Sequence, residues 1–367
     1  MKILIIGAGP IGCYLARLFK AKDSGFDLEI IEEHSAIGKP VHCAGLVSAD
    51  AISQIKVPLA DNFTVNKIDG AELFLDGNSF LVRRKDVALV IDREKFDQGL
   101  GNGLKINFDT RFVGVEKNGS GYLVETDKGE YYADIVIGAD GANSAMRRAA
   151  GFKEDIKYLR GAQFRMRYDK CKRNFVQVHF KNPFFAWVIP ESEDIVRIGI
   201  LSHNPYHDLL EFLKERAIKP EVLDKFAGVV PFGKCSTLRD NLVLVGDAAC
   251  QVKPLTQGGI YYGMRCAEIL VDCIMNKKLS DYEEIWHGKF GREIEIGLQV
   301  RQIYQQLNHD TLAKIYAVLK NNVFLLERFG DFENHSKFIS AVFKTPALQG
   351  IFGRILFNIL KDKDIEI

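Results

Sequence analysis

KILIIGAGPIGCYLARLFKAKD, residues 2–23, runs four apolar residues into three glycines and then into a helical pattern. The unbroken run Ile3–Ile6 reads as a strand buried on both faces of a parallel sheet. Gly7-Ala8-Gly9-Pro10-Ile11-Gly12 follows as Gly-x-Gly-x-x-Gly, and Cys13, Leu15, Ala16 and Phe19 then recur near one helix face. DLEIIEE, residues 27–33, reads as a second strand with Glu32 at its end. Each part has a mechanical use. Gly7 allows the tight turn, Gly9 lets backbone approach a pyrophosphate, and Gly12 lets helix and strand pack closely. The helix N-terminus faces the phosphate charge, and Glu32 can accept hydrogen bonds from ribose hydroxyls. With strand, helix and acid in place, the motif predicts dinucleotide binding.

A second stretch, NLVLVGDAACQVKPLTQGGI (241–260), selects between nucleotides. Its apolar run ends on Gly246-Asp247, and Gly258-Gly259 opens a helical pattern. An NAD enzyme of this type needs no such second anchor. FAD carries a ribityl chain and a ring that must also be held. Asp247 offers a carboxylate for hydroxyls, and the helix after Gly259 offers amide N–H groups and a positive dipole end. Asp247 can equally serve as a helix cap. Two further segments fit the same domain. In YYADIVIGADGANSAMRRAAG (131–151) a strand runs into Gly138-Ala139-Asp140-Gly141, with Asn143 or Ser144 capping a helix. In ALVIDREKFDQGL (88–100) Asp92 caps a helix whose first turn holds Arg93.

This set resembles the flavoproteins of the p-hydroxybenzoate hydroxylase type, and within them the geranylgeranyl reductase family. The residues that carry the likeness are GAGPIG, Glu32, GKPVHCAG (38–45), VIDREKFDQGL, GADGANS, VGDAACQVKPLTQGGI and FFAWVIP (184–190). The resemblance implies an α/β fold: a Rossmann-like FAD-binding domain, an inserted antiparallel β-sheet substrate domain and a C-terminal helical region. It implies FAD contacts at Gly7, Gly9, Gly12, Cys13, Glu32, Cys43, Ala44, Arg93, Gly246, Asp247, Gly258, Gly259 and Ile260. It also implies hydride transfer from reduced FAD to C=C bonds of a long isoprenoid, either a polyprenyl lipid or a quinone side chain. The family's lipid-facing pattern, Tyr-x-Trp-x-Phe-Pro, stands here as Phe185, Trp187, Ile189 and Pro190, followed by Glu191 where a basic residue is usual. Phe185, Trp187 and Pro190 are therefore the expected substrate contacts.

Cys43 is the expected catalytic residue. An isolated double bond is unpolarised, so hydride delivery to one carbon calls for a proton source near the other. A thiol, ordinarily protonated at neutral pH, can serve. The competing reading makes Cys43 a small residue packed beneath the flavin ring.

The rest of the chain supplies the setting. Between about 158 and 234, GAQFRMRY, FVQVHF, FFAWVIP and IVRIGIL read as antiparallel strands, interrupted by the helix HDLLEFLKERAI. Residues 67–90 read as a hairpin turning at Asp76-Gly77 and joining the same sheet. The expected domains are thus 1–66, 91–157 and 235–280 for FAD; 67–90 and 158–234 for substrate; and 281–367 for the helical region. Residues 279–307 open on a Ser280 cap with Glu283 as its box partner. Residues 336–363 read either as a helical lid or as an interfacial segment with peripheral membrane contact.

Several classes are disfavoured. A formal net charge of +1 gives no electrostatic case for nucleic acid. The seven cysteines contain no Cys-x-x-Cys pair, so no metal site is expected. Their odd number, without a secretory leader, points to a reducing, cytoplasmic setting. No second Gly-x-Gly-x-x-Gly follows a strand, so an external donor is expected: ferredoxin, a deazaflavin or NAD(P)H. The alternatives are an FAD monooxygenase or halogenase on the same scaffold, and an isoprenoid-binding protein with a structural flavin. FFAWVIP matches the halogenase Trp-x-Trp-x-Ile-Pro only in part.

Overall fold

The computed structural model describes residues 1–181, 183–219, 221–344, 349–350 and 353. The chain folds into two compact units. The first gathers Met1–Thr64, Ile91–Leu159 and Val229–Arg292; the second gathers Val65–Val90, Arg160–Gly228 and the residues from Glu293 on. The helices after residue 280 therefore divide between the units at Arg292.

The first unit is built on a five-stranded sheet in the order Leu238–Arg239, Leu242–Leu244, Ile135–Gly138, Lys2–Ile6, Asp27–Ile31. Its four inner pairings include three parallel ones, with Ile6 opposite Gly138 and Gly138 opposite Leu244. Ile3, Leu4, Ile5, Val136, Ile137, Val243 and Leu244 are fully buried, as continuous apolar runs covered on both faces must be. Helix Pro10–Ala21 starts with proline at its first position, where the missing N–H costs nothing. It lies so close to the preceding turn that a Cβ on Gly12 would sit 2.0 Å from the Gly7 carbonyl oxygen. Helix Ile260–Met275 packs on it just as tightly: a Cβ on Gly263 would meet Ile11 Cδ1 at 2.8 Å and Gly246 Cα at 3.2 Å. A buried polar knot fastens the same pair of helices. Tyr14 donates to Glu268 Oε1 at 2.6 Å, and Arg265 and Lys56 pair with that carboxylate at 2.6 and 2.9 Å.

A small antiparallel sheet, Phe112–Asn118, Gly121–Thr126 and Gly129–Ala133, completes this unit. The sequence reading passed over it, although Asn118-Gly119-Ser120-Gly121 is a turn signal between alternating stretches.

The second unit contains the expected hairpin, Thr64–Leu75 and Asn78–Ile91. Asp76 and Gly77 both take left-handed angles (φ 50° and 77°), as a two-residue turn matched to strand twist requires. Seven successive strands of its eight-stranded sheet run Glu221–Cys235, Glu154–Arg167, Ile195–Ser202, Phe184–Pro190, Val176–Lys181, Thr64–Leu75, Asn78–Ile91. The expectation of a purely antiparallel sheet needs correction, because Val176–Lys181 pairs parallel with Thr64–Leu75. The long connection between these two strands lets the second return in the same direction, which a tight hairpin cannot do. Helix Pro205–Glu215 covers one face, adding Leu209 and Phe212 to Phe164, Met166, Val188 and Ile198.

His179 is among the buried polar residues of this unit, 3% exposed. Its ring stacks on Phe74 at 4.4 Å. Arg216 donates to Nδ1 at 3.0 Å, which leaves Nε2 to donate to Gln177 at 3.2 Å. Burial, then the Arg216 and Lys181 charges, push its pKa down to about 3 from 6.5. The unfolded chain takes up this proton near 6.5 while the folded chain refuses it, so stability falls as pH drops through that window. His179→Phe is expected to flatten the fall by up to about 1.4 kcal/mol per pH unit, read from urea unfolding between pH 7 and 4.

Candidate active site

The register of the parallel strands brings three distant motifs to one edge. Ile6, Gly138 and Leu244 end level, so Gly7, Ala139-Asp140 and Gly246-Asp247 emerge side by side at the carboxyl ends of the sheet. This is where open α/β sheets bind nucleotides. Gly7 turns at φ 101°, and a Cβ there would strike the Ala139 carbonyl at 2.6 Å. Gly246 turns at φ 69°, with Ile11 beneath it. Gly9 differs from both: a Cβ on it would meet nothing within 4 Å. The three glycines of the first motif thus divide into turn, open face and packing contact.

Glu32 leaves its strand pointing back at this loop. Its Oε2 accepts from the Ala8 amide at 2.7 Å, and Oε1 accepts from the His34 amide at 3.0 Å and faces His34 Nδ1 at 2.7 Å. His34 was missed in the sequence; a histidine two residues past the acid carries no signal of its own.

Asp247 lies in a 3₁₀ turn, Gly246–Ala249, and does not cap the following helix. That helix begins at Ile260 with Gly259 as N-cap, and no side chain caps it. A Cβ on Gly259 would stand 2.3 Å from Asp247 Oδ1, so only glycine lets the carboxylate reach the helix start. Burial raises the Asp247 pKa, opposed by the Arg93 charge. A Cβ on Gly258 would meet the buried Lys253 side chain at 2.7 Å.

The turn carrying Asp247 is held from beneath by groups the sequence reading did not select. Gln251 accepts from the Gly246 amide at 2.8 Å and donates to Tyr282 Oη at 2.9 Å, and Tyr282 donates to the Leu244 carbonyl at 3.2 Å. Arg147, wholly buried, donates to the carbonyls of Ala248 (2.8 Å) and Ala142 (3.1 Å) and to Tyr158 Oη (2.6 Å), and pairs with Glu154. It ties the Asp247 turn to helix Ala145–Ala149, which Ser144 caps through the Arg147 amide. The expected capping box at Ser280 is corrected: Ser280 bonds Asp281, and Glu283 instead accepts from Thr237 N and Oγ1 and from Leu238 N. The incoming strand at Thr237 offers Glu283 more donors than the helix start does.

Arg93 and Cys43 are two further expected residues. Arg93 sits in the first turn of helix Arg93–Gly101, capped by Asp92. It is no solvated helix residue: its fork meets Asp97 at 3.1 and 2.9 Å. The Gly45 amide donates to the Cys43 sulfur at 3.3 Å. Burial raises the Asp97 pKa, opposed by Arg93. Cys43 and the neighbouring Ala44 are partly exposed. Cys13, by contrast, is wholly buried, its thiol donating to the Ala8 carbonyl at 3.2 Å.

In the second unit Trp187 lies flat on Gly199, whose notional Cβ would be 2.3 Å from the indole, and donates to Gln163 at 2.9 Å. Phe185 stands 6.0 Å from it and Pro190 is buried. Glu191 is neutralised by Arg165 at 2.8 Å and Arg197 at 3.4 Å, so the acid found at this position is matched by basic strand neighbours. Most of the stretch proposed for membrane contact, 345–348, 351–352 and 354–363, lies outside the described residues. Among those described, no helix is long and apolar enough to cross a membrane.

This arrangement has the fold of the FAD-dependent oxidoreductases. A geranylgeranyl bacteriochlorophyll reductase-like protein from Thermoplasma acidophilum shares it, with a TM-score of 0.81 at 22% identity, over 96% of this chain and 98% of that one. No protein-family model matches the sequence. An uncharacterized protein of Methanocaldococcus jannaschii is 32% identical over 98% of both chains. Digeranylgeranylglycerophospholipid reductase 1 of Methanothermobacter thermautotrophicus is 29% identical over 85% of this chain and 89% of its own. The chain belongs to the geranylgeranyl reductase family of FAD-dependent enzymes.

Arg147→Met removes the buried clamp on the Asp247 turn and leaves two carbonyls unmet. It is expected to cost about 3 kcal/mol of stability, seen as a lowered midpoint of chemical denaturation.

Proposed function

We propose that this chain binds FAD along the carboxyl edge of its parallel sheet and saturates C=C bonds of a long isoprenoid lipid. The observation that carries the reading is the fit of that edge to an extended nucleotide. Gly9 is open where a pyrophosphate would approach, and the amide end of helix Pro10–Ala21 stands beside it. Glu32 holds a carboxylate at the ribose end. Asp247 and the uncapped helix start at Gly259-Ile260 stand at the ring end, where amide dipoles favour negative charge. Gly7, Gly12, Gly246 and Gly258 shape the backbone of this cradle, and Arg93 and Ala44 flank it. Cys13 packs behind it.

When bound, reduced FAD supplies the hydride. The chain's own part is to hold the nucleotide, admit an apolar chain and provide a proton. We assign that last role to Cys43 and the lipid contacts to Phe185, Trp187 and Pro190. An external donor, ferredoxin, a deazaflavin or NAD(P)H, resupplies the electrons. A monooxygenase reading uses the same cradle but requires oxygen, which separates the two experimentally.

Photoreduced protein held under anaerobic conditions is expected to reoxidise when a digeranylgeranyl phospholipid is added, with a mass gain of two hydrogens per bond reduced. Failure with every polyprenyl lipid tried, together with oxygen uptake during turnover, would move the assignment to the monooxygenase. Gly9→Ala tests the cradle separately. Its Cβ clashes with nothing in the chain, so the melt of FAD-stripped protein should be unchanged while FAD affinity falls about tenfold or more.

A further inference from the structure

Glu32 is fastened by the chain itself through both of its carboxylate oxygens. Oε2 accepts from the Ala8 amide at 2.7 Å, within the glycine loop. Oε1 accepts twice from His34, from its amide at 3.0 Å and from ring Nδ1 at 2.7 Å. A carboxylate has no proton to give, so Nδ1 is the donor and the partner fixes the tautomer. The backbone of both residues is stitched to one segment. The Glu32 amide donates to the Asn107 carbonyl at 2.9 Å, the Thr110 amide to the Glu32 carbonyl at 2.8 Å, and the Asp109 amide to the His34 carbonyl at 3.2 Å. The Glu32 side chain is 12% exposed and that of His34 46%, so both stay within reach of a ligand.

Each carboxylate oxygen accepts about two hydrogen bonds. Oε1 has both of its own from His34, whereas Oε2 has one from Ala8 and keeps one place. We infer that His34 is a positioning residue that sets nucleotide specificity: by filling Oε1 it leaves Glu32 a single acceptor, on Oε2, for one ribose hydroxyl of the dinucleotide. The inference rests on the reading that this edge holds FAD. A glutamate free at its outer bonds would have to be ordered by the ligand. With His34 in place the chain has done that ordering, and the hydroxyl meets a carboxylate already aimed. A sugar without that hydroxyl is disfavoured, because Oε2 then loses water and gains no donor.

Full-length protein is loaded with FAD or with one of two analogues, lacking the adenosine 2′- or 3′-hydroxyl, and each dissociation constant is measured by equilibrium dialysis. His34→Leu should weaken FAD about fivefold, the cost of ordering one freed side chain. One analogue lacks the hydroxyl that Glu32 takes. It should bind the wild type more weakly than FAD does, and His34→Leu should leave its affinity unchanged. His34→Asn places an amide N–H where ring Nδ1 stands and should restore most of the FAD affinity. The backbone amide of residue 34 is present in every variant, so the comparison isolates the ring.

A merely structural role predicts a different pattern, because a loosened loop weakens FAD and both analogues by the same factor. That result would overturn the inference. So would an FAD affinity unchanged in His34→Leu, or a tighter one, which would mean that the ring competes with the ribose for Oε1. The reading of the edge as an FAD site fails in its own way. If wild type retains FAD while the His34 variants behave like it, that reading stands and only the role of His34 is lost. If wild type binds neither FAD nor the analogues, both are lost. The reductase assignment is decided apart from either, by the anaerobic reoxidation with lipid.

Discussion

Three parallel strands finish level at Ile6, Gly138 and Leu244, and everything chemical in the first unit follows from that register. A parallel pair shifted by one residue would turn each side chain to the other face of the sheet. It would also carry Asp247 away from the turn at Gly7. The register is fixed by burial: Leu4, Ile5, Val136, Ile137, Val243 and Leu244 have no exposed face to slip toward. Two helices then close on the edge through glycines. Gly12 meets the Gly7 carbonyl, and Gly263 meets Ile11 and Gly246. The first fifteen residues and those around 246–268 are thereby locked into one body, and the Tyr14–Glu268 bond spans 254 residues of sequence.

The site this creates separates roles that look alike in a motif. Gly7, Gly9 and Gly12 are one pattern in sequence and three functions in space. Asp97 is buried and Asp247 half-buried, and Asp97 is bound to the Arg93 fork while Asp247 faces a helix start. For Asp97 and Arg93, polar groups largely excluded from water are each given a fixed partner, which is what allows a carboxylate or guanidinium to stay aimed. The second unit handles its odd residues in the same way. Glu191 stands where the family pattern has a base, and Arg165 and Arg197 on neighbouring strands balance it.

Part of this was legible early. Continuous apolar runs gave the buried strands. The glycine spacing, Glu32 at a strand end and Asp92 ahead of a helix gave the nucleotide domain, and Asp76-Gly77 gave the hairpin turn. Less was legible where the signal is not local. The parallel pairing of Val176–Lys181 with Thr64–Leu75 depends on which edge is open when the strand returns, and alternation cannot report direction. The Ser280 box looked sound by spacing and failed because Thr237, far upstream, offers Glu283 better donors.

What the sequence determined by itself is the set of backbone conformations and the residue types that a nucleotide needs, since strand period, helix period and left-handed turns are written within a few residues. Only the tertiary structure decided which side chains meet. Arg147 under Ala248, Gln251 between Gly246 and Tyr282, and Arg93 fixed by Asp97 are such meetings. Their partners are chosen by burial, where every donor and acceptor cut off from water must find another, and no spacing rule encodes that choice.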